Sequence, residues 1–558
     1  MKNAAIVIVT SIMLLTIVSC EDMMGDFLEK APGVDVTEDT IFSSRSQVEM
    51  FLASIYEYGV HSNLGLGSPD NGAPAIANSA GTIDAGATDE AEACANWYDP
   101  QKWNNASVSP DNTDDPRFSH RFTAIRKVTV MLDRVDEVPD ITKEYANQLK
   151  AESKFIRALN YFEMFKRYGG VPIIDHRLQL DENLKIPRSS VEDVVNFIVK
   201  DCDEAIPDLP INQLGVLRGR ATRGAALALK ARTLLYAASD LFNTDKPYLD
   251  FGTNNKLICY GNKDKERWKL AADAAKKVLD WAKEANCYLI TDQGLDGNYK
   301  YSWQTYDNSE IIFAEKSSDA MGKYTWPWSA ISPPTVYPGN AGQSGVTVTL
   351  NLVSKYEDRL GDWNGGNDLQ AKMANLDYRF SQTVVGNLMR WNSEFPKLQL
   401  WQDSGNGPGA DVNTCYGGFW LHKLYPEEIS ESVWRKVPNS TLYQLNEAYL
   451  NYAEALNEYN EGPTQEAYDA INTIRKRSGQ PDLPTGLGYL EFRAKVRNER
   501  AIELAFDGHR FYDIRRWMIA EEEGVMQGGM LGIKIYQIPE STEYRYEPYV
   551  FETRSFSR

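Results

Sequence analysis

Histidine is scarce in this chain of 558 residues, with five in all, at positions 61, 120, 176, 422 and 509. No H-E-x-x-H pair, G-x-S-x-G elbow, P-loop or G-x-G-x-x-G turn occurs. The usual sequence signatures of zinc hydrolases, serine hydrolases and nucleotide enzymes are therefore missing. The six cysteines (Cys20, Cys94, Cys202, Cys259, Cys287 and Cys415) include no C-x-x-C pair, which removes a zinc ribbon or a thioredoxin-type redox site. With Cys20 set aside for another use, an odd number remains, and mostly buried free thiols are expected. A basic excess is also lacking. The formal net charge is −19, the wrong sign for a phosphate-binding surface, so nucleic acid is not an expected partner. Beyond the first residues no run of about 18 apolar residues occurs, so no membrane-spanning helix is expected.

What the chain does contain begins with an address. Lys2 precedes an apolar stretch, Ala4 to Val18, that is short for a spanning helix and ends in Ile17-Val18-Ser19-Cys20. This pattern reads as a secretory signal over residues 1–19. An aliphatic residue, small residues and then Cys resemble the lipobox of bacterial lipoproteins, with Cys20 as the lipidated residue. Several acyl chains on one thiol anchor a soluble body stably, because each buried methylene contributes about 0.8 kcal/mol. Glu21 and Asp22 follow directly. An acidic start of this kind resembles the surface-export signal of Bacteroidetes lipoproteins, which gives an outer-membrane, outward-facing expectation.

The body, residues 20–558, reads as one domain and mainly α. Apolar residues recur at helical spacing in Ser46–Tyr58, Arg121–Val135, Tyr145–Tyr168, Ala221–Phe242, Trp268–Ala285, Leu442–Tyr459, Gln465–Ser478 and Tyr489–Phe506. Ser189 with Glu192 suggests a capping box for a further helix, and Gly169-Gly170 with Pro172 marks a helix end. Ala467, Ile471 and Ile474, like Ala271, Ala275 and Val278, carry the small-residue spacing of tetratricopeptide helices. The predicted scaffold is stacked helical hairpins over about 40–58, 121–285 and 441–517. Residues 59–118 and 286–440 are rich in Gly, Asn, Asp, Pro and aromatics. They read as long irregular insertions forming a ligand face, since structureless stretches of this length are uncommon without a task.

A series of distinct motifs follows along the chain. Asp26-Phe27-Leu28-Glu29-Lys30-Ala31-Pro32 opens it. Phe155-Ile156-Arg157-Ala158-Leu159-Asn160-Tyr161-Phe162 and Arg167-Tyr168-Gly169-Gly170-Val171-Pro172 stand at its centre, followed by Gly219-Arg220-Ala221-Thr222. The most specific is Glu499-Arg500-Ala501-Ile502-Glu503-Leu504-Ala505-Phe506-Asp507-Gly508-His509-Arg510-Phe511-Tyr512-Asp513-Ile514-Arg515-Arg516-Trp517. In this order, behind a lipobox, the chain resembles the SusD/RagB family of Bacteroidetes outer-membrane lipoproteins over nearly its whole mature length. The resemblance implies a helical body with tetratricopeptide-like pairs and an irregular ligand-binding face. It also implies capture of an oligosaccharide, a TonB-dependent transporter of the SusC type as partner, no cofactor and no catalysis.

The candidate binding residues are loop aromatics with polar neighbours. A flat ring covers the apolar face of a sugar while amides and charges meet its hydroxyls. One cluster is Asn96, Trp97 and Tyr98 with Trp103 behind it. A second is Tyr324, Trp326, Trp328 and Tyr337. Tyr299, Tyr301 and Trp303 make a third. His509 with Asp513, Glu499 and Glu503 invites a catalytic or metal reading. However, Arg500, Arg510, Arg515 and Arg516 crowd the same stretch, and positive charge favours Arg–carboxylate pairing there instead. Asp111, Asp114 and Asp115 depart from EF-hand spacing and read as a solvated turn. Two other function classes remain: a lipid-anchored glycoside hydrolase and a tetratricopeptide scaffold for outer-membrane assembly.

Overall fold

The computed structural model describes residues 37–61, 84–94, 99–109, 115, 117–179, 181–316, 346–356, 366–393, 395–402, 404, 417–424 and 439–554. The fold is mainly α. Its scaffold helices, numbered in chain order, are α1 (Arg45–Gly59), α2 (Phe118–Arg134), α3 (Lys143–Tyr168), α4 (Val191–Ala205) and α5 (Arg223–Ala238). They continue with α6 (Glu266–Glu284), α7 (Leu445–Asn460), α8 (Gln465–Arg477), α9 (Tyr489–Glu503) and the short α10 (Arg510–Arg516). Successive helices pack against one another as hairpins: α3 on α4, α5 on α6, α6 on α7 and α7 on α8.

Helix α3 shows how local sequence sets this frame. The Thr142 hydroxyl accepts from the Tyr145 amide at 3.2 Å and starts the helix. Leu149, Phe155, Ile156, Leu159, Phe162 and Phe165 recur on its inner face and are all buried. The helix ends at Gly169, whose φ of 71° suits glycine. A methyl group there would also lie 2.6 Å from the Leu257 carbonyl. At α5 a methyl on Gly224 would lie 2.3 Å from the Trp281 ring, so the missing side chain sets the close approach of α5 and α6.

Three details differ from the sequence reading. The capping box of α4 belongs to Ser190 and Asp193, not to Ser189 and Glu192, because the Ser189 amide is engaged with the Val171 carbonyl at 3.0 Å in an extended connection. Residues Ser440–Gln444 form a strand rather than the first turn of a helix, so α7 begins at Leu445. The third difference is the C-terminal hairpin, which the sequence reading lacks entirely.

Among the described residues the strands are β1 (Ala91–Ala93), β2 (Ile311–Glu315), β3 (Val346–Val348), β4 (Val384–Val385), β5 (Trp420–Leu421), β6 (Ser440–Gln444), β7 (Gly528–Gln537) and β8 (Tyr544–Arg554). They form four antiparallel pairs, β1–β3, β2–β6, β4–β5 and β7–β8. Around β3, β4, β5 and the β7–β8 hairpin lies a second apolar core that includes Tyr356, Phe380, Trp391, Trp420 and Tyr546. Part of the stretch read as irregular insertion is thus packed structure. Cys202 and Cys259 are buried free thiols, Cys94 is buried and Cys287 is half-buried.

The two cores meet at a buried junction of ion pairs. Arg379 reaches Asp377, Glu499 and Glu503 at 2.6, 2.6 and 2.8 Å. Arg475 holds Glu499 at 2.9 Å. Arg477 spans Glu310, at 2.8 Å, and Glu503. Glutamates of α9 thereby receive arginines from α8 and from the second core. No described helix is long and apolar enough to cross a membrane.

Candidate ligand face

Strand register brings together the stems of the stretches that carry the aromatic clusters. Ala93 at the end of β1 pairs with Val346 at the start of β3. The chain continues from β1 toward Asn96, Trp97 and Tyr98, and it arrives at β3 from the stretch holding Tyr324, Trp326, Trp328 and Tyr337. At the other stem of that stretch, Glu315 pairs with Ser440, and the Lys316 ammonium donates to Asn439 at 2.9 Å.

The segment leading into β1 is tied down by buried charge. Arg510 grips Asp89 with two bonds of 2.7 Å, and Lys355 stands 3.2 Å from the same carboxylate. Burial pushes Asp89 upward, yet Arg510 and Lys355 overcome it and hold the carboxylate well below its usual range. Glu90 beside it is pushed up to about 8 by burial and by the Asp89 charge. Arg554 at the end of β8 donates to the Thr88 carbonyl at 2.7 Å and pairs with Glu92.

A short helix, Asp99–Asn104, sits on this base. The Gln101 amide donates to the Ala93 carbonyl at 2.8 Å, and the Asn104 amide to the Gly86 carbonyl at 3.0 Å. This presents Trp103, 37 % exposed, edge-on to Phe511 at 5.2 Å. The Arg515 guanidinium lies 5.0 Å from the Trp103 ring centre and 3.4 Å from that of Phe511. Next along α10, Tyr512 carries the Lys166 ammonium 4.1 Å from its ring. Burial lowers Lys166 to about 8, although Glu163 at 2.8 Å favours its charged form. Further along, Phe118 packs edge-on against Tyr168, and the Tyr168 hydroxyl donates to Asp115 at 2.8 Å. Phe511 and Tyr512 are themselves buried, so the exposed surface here is the Trp103 ring with the Arg515 guanidinium beside it and, separately, Phe118. An exposed ring beside a cation suits a ligand with apolar faces and hydroxyl edges.

Of the residues expected from sequence, Trp103 lies in this arrangement. Cys20, Asn96, Trp97, Tyr98, Tyr324, Trp326, Trp328 and Tyr337 lie outside the described residues. In the third cluster Tyr299 and Trp303 are buried and Tyr301 is half-buried, and the Tyr299 hydroxyl donates to the Glu503 carbonyl at 2.8 Å. Around His509 every charged neighbour has a structural partner. Asp513 is held at 2.7 Å by both Arg500 and Arg516. Burial and then Arg232 and Arg500 drive His509 far below its usual range. Among the described residues no cluster of His, Cys, Asp or Glu is arranged to hold a metal. Asp115 is bound to Arg121 at 2.5 Å, while Asp111 and Asp114 lie outside the described residues. Sequence reasoning missed Phe511 and Arg515 as neighbours of Trp103. The alternation of rings and arginines from Arg510 to Trp517 is the signal in the sequence, where it reads only as Arg–carboxylate pairing.

Comparison with known proteins gives two family models on successive parts of the chain. Residues 26–235 match a family described as starch-binding associating with outer membrane, and residues 309–557 match the SusD family. SusD-like protein P25 of Formosa agariphila is 24% identical over 548 residues, spanning 92% of this chain and 90% of that protein. The crystal structure of a SusD-like protein from Bacteroides fragilis superposes with a TM-score of 0.72 at 23% identity, covering 95% of each chain. A laminarin-binding SusD-like protein superposes with a TM-score of 0.58 at 20% identity, covering 86% of this chain and 93% of its own. At these identities the superpositions establish the fold.

Proposed function

The chain belongs to the SusD family, and from that premise we propose that it is a surface lipoprotein that captures an oligosaccharide and passes it to a SusC-like TonB-dependent transporter. The observation that carries the reading is the pairing of Ala93 with Val346, which holds the stems of two aromatic clusters on neighbouring strands beside Trp103. Trp97, Trp326 and Trp328 are proposed as stacking platforms, with Tyr98, Tyr324 and Tyr337 around them and Asn96 for hydroxyls. The laminarin ligand named for one structural relative supports a glycan as the ligand class. The outer-membrane description of the matched family supports the location. Cys20 is proposed as the lipid anchor. Binding without bond cleavage is the proposed chemistry, supported by the arginine partners that occupy the carboxylates around His509.

Isothermal titration of the purified chain against plant, microbial and host oligosaccharides tests the capture reading. One sugar class is expected to bind, and Trp97→Ala and Trp326→Ala to weaken it by about tenfold or more. Failure of the wild type to bind any sugar in the presence of its co-purified transporter defeats the glycan reading. Cys20→Ser is expected to release the chain from the membrane fraction.

A further inference from the structure

A cleft of about 590 Å³ opens between the end of α6, the segment 286–298, α7 and α8. It shares no residue with the ligand face. Its entrance is built by a tight turn in which the Cys287 amide closes on the Ala282 carbonyl at 2.9 Å. Asn286 takes the left-handed conformation, φ 53°, which asparagine accepts more readily than most residues. The turn leaves Tyr288 clamped by its backbone. The Tyr288 amide donates to the Ser309 carbonyl at 3.1 Å, and its carbonyl accepts from the Ser309 hydroxyl at 2.8 Å. Its ring nevertheless stands 61 % exposed.

The lining has three kinds of chemistry. Leu279, Leu289 and Leu295 give an apolar wall beside the Tyr288 ring. Asn286 and Thr291 bring an amide and a hydroxyl that make no hydrogen bond to other described residues. Lys283 and Lys476 bring ammonium groups at the rim, and the described lining includes no carboxylate. Each lysine has an acid nearby, Asp280 at 3.4 Å and Asp482 at 3.1 Å. Exposed pairs of this kind hold their partners weakly, so both ammonium groups can turn to an anion. Arg477 lies beneath with its charge met by Glu310 and Glu503. In a chain of net charge −19, a concavity lined by cations and amides selects for negative ligands.

We propose that this cleft is a second saccharide site, selective for acidic sugars such as uronates. The Tyr288 ring covers the apolar face of one sugar unit, Asn286 and Thr291 meet hydroxyls, and Lys283 and Lys476 hold the carboxylate. A cleft of this volume takes a short oligosaccharide. The choice of sugar as ligand class rests on the capture reading above; the site and its preference for negative charge do not.

Titration of the full chain with a trimer of galacturonic acid, alongside a neutral glucose trimer and triglutamate, tests it. The galacturonate trimer is expected to bind more weakly as salt rises. Tyr288→Ala and the double change Lys283→Glu with Lys476→Glu are expected to weaken it by about tenfold or more. Lys269→Ala, on the exposed face of α6 outside the cleft, should leave it unchanged. These positions are on the surface, and circular dichroism checks that the variants fold. No binding of the galacturonate trimer to wild type, or binding that survives the cleft variants, overturns the proposal. Equal affinity for triglutamate overturns its sugar class. Failure of the loop-face reading shows elsewhere, in the neutral sugars and in Trp97→Ala.

Discussion

The helical body and the second core around the C-terminal hairpin are both well packed, but they are held by different means. In the body, apolar residues three and four apart on α2 to α6 form one contiguous core, and burial of such faces does most of the stabilising. The second core is assembled from short elements far apart in sequence, such as β3, β5 and β7. It is joined to the body through buried arginines and carboxylates. The contrast teaches that one residue class does unlike jobs by location. Lys269 and Asp273 on α6 are as close as the junction pairs, at 2.6 Å, but stand in solvent. Arg379→Met strips a partner from Asp377, Glu499 and Glu503 and is expected to cost about 3–5 kcal/mol, seen as a large drop in thermal midpoint. Lys269→Ala is expected to leave the midpoint where it is. Equal effects would break the distinction.

That contrast also decides what could be read from sequence. The helices of the body were legible because each carries its own period; the inner face of α3 follows from its sequence alone. The family motif at Glu499–Trp517 was legible as an Arg–carboxylate lock, although which arginine met which acid was not, since Arg379 lies 120 residues from Glu499. The β7–β8 hairpin escaped because Gly528-Gly529 and Gly532 interrupt its alternation, and its ladder shifts register between Met530 and Leu531. Strand β6 escaped for another reason. Leu442 fits the helical period of α7, but pairing with β2 takes that segment away. Trp103 was legible as a loop ring; its seat on Phe511 and Arg515 depends on tertiary packing that no local pattern encodes.

The two regions should also answer to pH in opposite senses. In the body, Glu454 receives Arg516 at 2.6 and 2.8 Å and the Trp517 indole at 2.7 Å. Burial raises this carboxyl, but Arg516 outweighs it and brings the group down to about 2. Its contribution is therefore present above the ordinary glutamate range and is lost as pH falls toward about 2. Under the ligand face, Glu90 is raised to about 8. The unfolded chain gives up this proton near the ordinary value while the folded chain keeps it, so stability falls as pH rises from the ordinary glutamate range to about 8. Glu90→Gln is expected to stabilise the protein at pH 8, by about 1–3 kcal/mol, and to be neutral at pH 4. Chemical denaturation at both values measures it. A variant that loses stability at pH 8 would show that Glu90 is held as a carboxylate.

The smallest expected effect sharpens the contrast within the body itself, at a single helix start. Sequence offers two serines before α4. The structure gives the cap to Ser190, whose hydroxyl accepts from the Asp193 amide at 3.1 Å, while the Asp193 carboxylate accepts from the Ser190 amide at 3.3 Å. Removing the Ser190 hydroxyl leaves the Asp193 amide to water, while the Ser190 backbone amide keeps the Asp193 carboxylate. Ser190→Ala is expected to cost about 1 kcal/mol, resolved by the denaturation midpoint. Ser189→Ala removes a hydroxyl but leaves its backbone bond to Val171, and the midpoint should not move. Reversed results would return the cap to Ser189. Helix periodicity places an element to within a turn, but only the geometry of the chain arriving at that turn decides which residue opens it. Here that geometry comes from the bond between Ser189 and Val171, a link between segments that the helical pattern does not contain.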